Sequence, residues 1–250
     1  MTTFADLGLS PKLLTALAKT NMTEPTPIQA QAIPHIMKGS DLMGLAQTGT
    51  GKTAAFGLPL LHRLLDIGHP PAPRKVRALI LAPTRELVNQ IAENFLTFTK
   101  GTAVKVTMVV GGASLNRQAE RLARGSDVLV ATPGRLIDLL ERGAVSLDEC
   151  GYLVLDEADH MLDMGFIHSL RKIAKYIPQH RQTLLFSAIW LTSSRVGARI
   201  SARTRRGAGG WPMSSRRCRR GRPKAAVLPV PVWARPIRSA PFMMWGMACA

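Results

Sequence analysis

One stretch of eight residues, 46–53, constrains the fold of this chain more than any other. It reads AQTGTGKT, with a short strand-like run at 41–45 before it and an apolar segment with helical spacing at 54–65 after it. Its glycines let the backbone curl so that successive N–H groups point into one concavity, where the positive end of the following helix favours anions. The stretch therefore predicts a phosphate-binding loop between a strand and a helix.

The side chains of this loop suit a nucleotide with its metal. Lys52 can neutralise terminal phosphates, and the Thr53 hydroxyl can ligate Mg²⁺. The other loop residues predicted to contact the cofactor are Thr48, Gly49, Thr50 and Gly51. The usual pattern opens with glycine where this chain has Ala46, so the loop is a variant of that pattern. A plain Gly/Thr-rich turn is the alternative, but the Gly-Lys-Thr ending favours phosphate binding.

Beyond the loop, short apolar runs alternate with amphipathic helical stretches, which predicts an α/β domain with a mainly parallel sheet flanked by helices. The predicted strands are 77–82, 105–110, 127–131, 152–155 and 183–187. Upstream, Ser10-Pro11 predicts the start of one helix and Ala30 the approximate start of another. Each strand ends in a polar or glycine-containing cluster. Ligands of such sheets bind beyond the carboxyl ends of the strands, so these clusters predict an active face.

Two carboxylates, Asp156 and Glu157, follow the strand at 152–155 directly. A nucleotide held at Lys52 needs Mg²⁺ and an activated water, and two carboxylates can divide these tasks. We assign Asp156 to the metal and Glu157 to the water. An acidic turn that caps the next helix is the alternative.

Arginines and glycines at other strand ends predict contacts with a nucleic-acid backbone. Arg85 and Arg135 each follow a proline-containing turn, and Gly111-Gly112 allows close backbone approach. Such groups position a nucleic acid without reading its sequence. Ordinary loops with charged helix starts explain the composition equally well, because residues 1–190 contain 20 basic and 16 acidic residues.

The composition changes at about residue 190. Residues 191–250 contain 13 basic residues and no acidic one, and all four tryptophans lie from residue 190 onward. We therefore divide the chain into a domain at 1–189 and an Arg-rich, acid-free tail at 190–250, which we predict to be disordered. The tail is either a basic arm that binds RNA phosphates or the product of a shifted reading frame. The abrupt change favours the shifted frame.

The cysteines and the apolar runs indicate the compartment. Three cysteines lie far apart, without disulfide or metal-site spacing, so a reducing, cytoplasmic location is expected. The first residues lack a basic leader, and no segment approaches the roughly 20 apolar residues that span a bilayer. We expect no membrane partner.

The ordered clusters resemble the first motor domain of the DEAD-box RNA helicases over roughly residues 4–189. Phe4 and the run 26–29 look like that family's Q motif, at about residues 2–30, and 46–53 matches its phosphate loop, including Ala46. Residues 156–159 match the motif that names the family. The sequence of residues 161–166 resembles that of bacterial members associated with the ribosome and RNA decay.

The resemblance implies a RecA-like domain that binds ATP with Mg²⁺ and a single RNA strand. Gln29 would read the adenine edge while Phe4 stacks on its ring; the phosphate loop and the acidic motif would act as assigned above. The implied RNA contacts are Pro83, Thr84, Arg85, Gly111, Gly112, Thr132, Pro133, Gly134 and Arg135. Asp159, Ser187 and Ala188 would couple hydrolysis to unwinding. The implied partners are RNA, bound through its backbone, and the ribosome or the RNA-decay machinery.

The chain departs from the family pattern in two places. The coupling motif Ser-Ala-Thr is here Ser187-Ala188-Ile189, which lacks the last hydroxyl. No second motor domain is recognisable after residue 189, and its arginine finger is worth roughly 10³–10⁵ in rate. We expect this chain to bind adenine nucleotide weakly, to hydrolyse it slowly if at all, and not to unwind RNA.

Two other functions stay open on the sequence alone. A non-catalytic RNA-binding or interfering module would act through the basic tail. Another phosphate-loop enzyme, such as a kinase or a transporter ATPase, would not need Gln29.

Overall fold

One sheet lies between two layers of helices. The computed structural model describes residues 3–20, residues 22–188 and the strand at 225–229. The helices are α1 (Pro11–Lys19), α2 (Pro27–Met37), α3 (Lys52–Asp66), α4 (Arg85–Phe98), α5 (Leu115–Leu122), α6 (Pro133–Glu141), α7 (Ala158–Asp163) and α8 (Ile167–Ala174). The strands are β1 (Leu42–Ala46), β2 (Val76–Leu81), β3 (Val106–Val109), β4 (Ser126–Ala131), β5 (Tyr152–Leu155), β6 (Gln182–Ser187) and β7 (Ala225–Pro229).

The strands form one sheet in the order β3-β4-β2-β5-β6-β1-β7. Strands β1 to β6 pair in parallel, and β7 pairs antiparallel with β1. The predicted RecA-like α/β domain with a mainly parallel sheet is confirmed. Residues 225–229 differ from the predicted disorder of the tail, because this apolar run pairs through its backbone with the edge of β1. Ile189 and the rest of the tail lie outside the described residues.

The core consists of two apolar clusters, one on each face of the sheet. Strands β2, β4 and β6 are buried along their whole length. In β2, Ala78 and Ile80 belong to the cluster under α1 to α4, whereas Leu79 and Leu81 belong to the cluster under α5 to α8. Successive side chains of a strand point to opposite faces. The continuous apolar runs of the sequence therefore reflect strands covered on both faces.

Proline and capping residues set the helix starts. Helix α1 begins at Pro11, as predicted. Helix α2 begins at Pro27, earlier than the predicted start near Ala30, because the Gln29 side chain accepts a hydrogen bond from the Thr26 N–H (2.9 Å) ahead of the helix. Helix α3 begins at Lys52, so the phosphate loop runs directly into its first turn.

Replacement of Gly44 in β1 tests how tightly the sheet packs. A Cβ there would lie 2.5 Å from Cε1 of Phe186. The buried ring of Phe186 packs against Phe56, with the two ring centroids 5.2 Å apart. We expect Gly44→Ala to lower the free energy of unfolding in urea by about 2 kcal/mol. Gly151→Ala is the control, since a Cβ at Gly151 meets nothing within 4 Å. Equal stability of the two variants would show that the Phe186 ring moves aside without cost.

Candidate functional site

The strand order divides the carboxyl edge of the sheet into two neighbouring halves. Strands β1, β6 and β5 lie side by side and lead into the phosphate loop, residues 187–188 and the acidic motif. Strands β2, β4 and β3 also lie side by side and lead into the three clusters predicted to contact RNA. The two groups of predicted residues thus occupy adjacent regions of one face. We call the region at the ends of β1, β6 and β5 the nucleotide half and the region at the ends of β2, β4 and β3 the RNA half, after the predicted ligands.

The phosphate loop has the backbone geometry of an anion site. Gly49 and Gly51 adopt positive φ angles of 83° and 90°, in the left-handed region that favours glycine. Gly51 is also the N-cap of α3. The turn is closed by the Thr50 hydroxyl, which donates to the carbonyl of Gln47 (2.7 Å). The loop therefore combines a glycine-dependent backbone turn with the positive end of a helix, which are the features of an anion site.

Lys52 and Asp156 form the charged centre of this half. The Lys52 Nζ lies 3.7 Å from Asp156 Oδ1, and both side chains are buried. Nζ has no hydrogen-bond partner among the residues that the structure describes. A buried ammonium without hydrogen bonds is costly, and phosphate oxygens would satisfy it. The residues present therefore fit a nucleotide phosphate group.

The acidic motif turns sharply after β5. Glu157 has a left-handed backbone, with φ 51° and ψ 50°, which is uncommon for a residue other than glycine and is typical of functional sites. Its N–H donates to Asp156 Oδ1 (3.0 Å), and its carboxylate lies 3.4 Å from His160 Nδ1. Burial raises the pKa of Asp156 to about 6, against the opposing effect of the Lys52 ammonium. Asp156 and Glu157 thus face different surroundings.

The acidic motif and the loop also fit Mg²⁺. Mg²⁺ in nucleotide sites is commonly bound by one or two carboxylates together with phosphate oxygens and water. Asp156 lies beside Lys52, and Thr53 is the next residue of the loop. The described residues contain no cluster of three or more His, Cys, Asp or Glu side chains that could hold a metal by themselves. A magnesium ion here would therefore share its coordination with the phosphates.

Gln29 contacts the phosphate loop itself. Its amide nitrogen donates to the carbonyl of Gly51 (3.1 Å), while its oxygen accepts from Thr26. A Cβ at Gly51 would lie 2.4 Å from Gln29 Nε2, so glycine is needed there for close approach as well as for its φ angle. Gln29 is fully buried, and Phe4 is buried in the core cluster that includes α2 and α3. Gln29 therefore contacts the phosphate loop directly, whereas Phe4 is part of the core.

The RNA half is organised around the loop that follows β3. The guanidinium of Arg85, at the start of α4, packs on Gly111-Gly112, and a Cβ at Gly112 would lie 2.3 Å from Arg85 Nη1. Arg135, in the first turn of α6, donates to the carbonyl of Ala113 (2.8 Å). Gly112 has a φ of 83°. Arg85 and Arg135 therefore hold the same loop, which brings the three predicted clusters together.

The other predicted RNA residues lie around these two arginines at the starts of their helices. Thr84 caps α4 by accepting from the Leu87 N–H (3.2 Å). Thr132 is the N-cap of α6, and Pro133 is the first residue of that helix. Thr132, Pro133 and Pro83 are buried, whereas Gly134 is exposed. Exposed Arg85, Gly112 and Gly134 are the part of this half that faces solvent.

Two of the three predicted coupling residues lie at the end of β6, between the strands β1 and β5 that lead to Lys52 and Asp156. Ser187 is buried at the end of β6, and Ala188 follows it at the surface. Asp159 is half-buried in α7, which packs against β6. Ile189, the departure from the family pattern, lies outside the described residues.

Three contacts were not predicted from the sequence. These are the Gln29–Gly51 bond, the Ala113 carbonyl as partner of Arg135, and the proximity of His160 to Glu157. The Thr26-x-x-Gln29 spacing is a recognisable capping signal and could have indicated the first in part. Glu157 and His160 are one helical turn apart, which also could have been noticed. The Ala113 contact involves a backbone carbonyl and has no sequence signal.

The fold and the nucleotide half define the class: a RecA-like phosphate-loop domain. The family model for the DEAD/DEAH box helicases matches residues 26–194. Because this match covers more than half of the chain, the chain belongs to the DEAD/DEAH box helicase family, as the ordered motifs predicted.

Similar proteins come from a yeast and from bacteria. The chain is 50% identical over 187 residues to an ATP-dependent rRNA helicase RRP3 of Meyerozyma guilliermondii, covering 74% of this chain and 38% of that protein. It is 48% identical over 185 residues to an ATP-dependent RNA helicase CshA of Limosilactobacillus reuteri, covering 74% and 36%. It is also 48% identical over 188 residues to an ATP-dependent RNA helicase DeaD of Klebsiella pneumoniae, covering 75% and 28%. The chain thus spans between 28% and 38% of the lengths of these relatives.

Within the described part of the chain, none of the helices has the length and apolar character needed to cross a bilayer.

The raised pKa of Asp156 predicts a pH dependence of stability in the absence of nucleotide. The folded protein keeps the proton at pH values where the unfolded chain, in which an aspartate has a pKa of 3.8, has lost it. The contribution of Asp156 to the free energy of unfolding is therefore fully present below pH 3.8 and declines as the pH rises toward about 6. Asp156→Asn removes the ionisation while it keeps the shape of the side chain.

Unfolding in urea at several pH values between about 4 and 6.5 measures this effect. We expect the difference in the free energy of unfolding, variant minus wild type, to grow with pH by about 1 kcal/mol per pH unit. Asp163→Asn, at an exposed position in α7, is the control and should give a flat difference. A flat difference for Asp156→Asn as well would mean that this carboxyl titrates normally.

Proposed function

We propose that residues 3–188 act as the ATP- and RNA-binding motor domain of an ATP-dependent RNA helicase. The observation that carries this function is the buried Lys52 ammonium, which lacks a hydrogen-bond partner within the described residues and lies 3.7 Å from Asp156 at the N-terminus of α3. An anion with several acceptor oxygens completes such a centre. Family membership makes the triphosphate of ATP the favoured anion.

The nucleotide half would divide the work of hydrolysis among few groups. Lys52 and the loop N–H groups would bind the phosphates, and the Thr53 hydroxyl and Asp156 would hold Mg²⁺. The metal, when bound, would neutralise charge that develops on the phosphate oxygens. Glu157, whose backbone is left-handed, would position or deprotonate the attacking water. Its contact with His160 would orient that carboxylate.

Gln29 and Phe4 would give selectivity for adenine. A side-chain amide can pair with a donor and an acceptor at once, as the adenine edge offers. The Gln29 nitrogen is bonded to the Gly51 carbonyl, so pairing with a base would require this bond to change. Base recognition would then act directly on the phosphate loop. The buried Phe4 ring lies in the same core cluster and would contribute the stacking surface.

The RNA half would bind one strand along its phosphates. Arg85 is exposed beside Gly112, whose positive φ and missing side chain leave the loop backbone open to a ligand. Arginine, hydroxyl and backbone N–H groups bind phosphates without sequence preference. Asp159, Ser187 and Ala188, which lie on α7 and at the end of β6, would link this half to hydrolysis. We infer a cytoplasmic location, with the ribosome or the RNA-decay machinery as partners.

Titration with a fluorescent ATP analogue in the presence of Mg²⁺ tests the nucleotide half. We expect Lys52→Met to weaken binding by roughly 10- to 100-fold, because a charge-assisted hydrogen bond contributes about 1.5–3 kcal/mol. Lys38→Met, at an exposed position after α2, is the control and should bind like the wild type. Unchanged affinity of Lys52→Met would exclude this loop as the phosphate site.

The same titration with a fluorescent GTP analogue separates a helicase from other phosphate-loop enzymes. Wild type should prefer ATP, and Gln29→Ala should reduce that preference, whereas Gln31→Ala, exposed on α2, should not. Equal affinities for ATP and GTP, unaffected by Gln29→Ala, would favour a kinase or a transporter ATPase.

Binding of single-stranded poly(U) RNA at several salt concentrations tests the RNA half. Each phosphate contact that is lost should reduce the slope of log K against log salt by about 0.7. We expect this change for Arg85→Gln and for Arg135→Gln, while Arg142→Gln, exposed at the end of α6, should keep the wild-type slope. All three variants could instead keep the wild-type slope while removal of residues 190–250 abolishes binding. This result would assign RNA binding to the tail.

A further inference from the structure

An elongated groove lies far along the sheet from the phosphate loop, at the outer edge of β3. It has a volume of about 770 Å³ and passes between α4 and α5 over this edge. Strand β3 is the end strand of the sheet and pairs with β4 alone among the described strands. The groove therefore has the backbone of an edge strand as its floor.

The hydrogen bonds around β3 show which backbone groups face the groove. The Lys105 carbonyl accepts a hydrogen bond from the Val128 N–H of β4 (3.0 Å). The Val109 carbonyl accepts one from the N–H of Thr132, the residue after β4 (3.2 Å). Residues of one strand alternate between its two sides in a parallel ladder. Val106 and Met108 therefore direct their N–H and C=O groups into the groove.

Side chains anchor both ends of this edge. At the carboxyl end, the buried Gln118 amide accepts from the Val110 N–H (3.1 Å) and donates to the Val110 carbonyl (3.0 Å), as a neighbouring strand would. At the amino end, the Lys105 N–H donates to Asp127 Oδ2 (2.8 Å), and Arg77 bonds the other oxygen of that carboxylate (2.5 Å). The edge between them is thus held in an extended conformation.

The side chains that line the groove combine exposed apolar residues with an excess of basic ones. Leu96 of α4 is 54% exposed and Met108 is 39% exposed, which makes them two of the few large apolar side chains at the described surface. The charged lining residues are Lys105, Arg117, Arg121, Arg124 and Glu120, with basic groups in excess. Edge strands are usually protected because they can pair with another chain. Within the described part of the chain, no strand pairs with the central part of this edge, which lies among positively charged residues.

We propose that this groove binds an extended acidic segment of a partner protein, which adds to β3 as a further strand. The open groups of Val106 and Met108 would pair with its backbone, alternate apolar side chains would pack on Leu96 and Met108, and its carboxylates would lie along the arginines of α5. RNA fits this groove less well, because the lining residues include no aromatic side chain on which a base could stack.

Fluorescence anisotropy with a labelled synthetic peptide tests this site on the full 250-residue chain. The probe is a peptide of about eight residues that alternates glutamate with valine or leucine, which is long enough to cross the groove. Arg121→Glu with Arg124→Glu should weaken its binding by about tenfold or more, because two attractions become repulsions. Lys12→Glu with Arg142→Glu, at exposed positions outside the groove, should change it by less than about twofold.

Two further controls separate strand addition from simple attraction to the basic tail. The same peptide with alternate backbone nitrogens methylated keeps its charge but cannot pair along one edge, and it should bind about tenfold more weakly or not at all. Met108→Pro removes an outward N–H at a position where an edge strand tolerates proline, and it should also reduce binding, whereas Met108→Thr should reduce it less.

Several results would overturn strand addition at β3. Equal binding of the methylated and unmethylated peptides, or equal effects of the two double charge reversals, would assign the attraction to net charge. Absence of peptide binding, combined with loss of poly(U) binding in Arg121→Glu/Arg124→Glu, would assign the groove to RNA. If the peptide does not bind and the variant binds poly(U) like the wild type, the basic residues of the groove would serve only to protect the edge strand from pairing.

Discussion

The buried contact between Lys52 and Asp156 is the interaction on which the rest of the nucleotide half depends. The two charges lie 3.7 Å apart without a hydrogen bond. Lys52 begins α3 after β1, Asp156 directly follows β5, and β6 lies between these two strands in the sheet. Their separation is therefore set by the spacing of three parallel strands. Burial would make this arrangement unfavourable without a ligand, since neither charge is fully compensated. The sheet and α3 hold the two charges in place, as the proposed binding of an anion and its metal requires.

The same sheet joins the nucleotide half to the RNA half. The Asp156 N–H donates to the carbonyl of Leu81 (3.0 Å), at the end of β2. The chain that leaves β2 at this point becomes the Pro83–Arg85 cluster, and Arg85 then packs on the loop after β3. A short series of backbone and side-chain contacts therefore connects the acidic motif to the exposed glycines.

The sequence predicted the fold well because the relevant signals were local. Continuous apolar runs located six strands to within about two residues, and Ser10-Pro11 marked the start of α1. The candidate site was predicted by residue type and by the order of the motifs; the structure places Lys52 Nζ 3.7 Å from Asp156 Oδ1, and the roles of the two residues stay predictions. The orientation of Gln29 could not be predicted, because its partner Gly51 is distant in sequence. The pairing of 225–229 with β1 was missed for the same reason.

The described sheet ends in a different kind of strand on each side, and the difference matters for the RNA half. On one side β7 pairs along the whole of β1. On the other, Gln118 pairs with Val110, and no other described residue pairs with the outward backbone groups of Val106 and Met108. Val110 directly precedes Gly111-Gly112, the loop that Arg85 and Arg135 hold. A strand added at Val106 and Met108 would stiffen β3 up to that loop, so a partner in this groove would act first on the RNA half and only through β4 and β2 on the nucleotide.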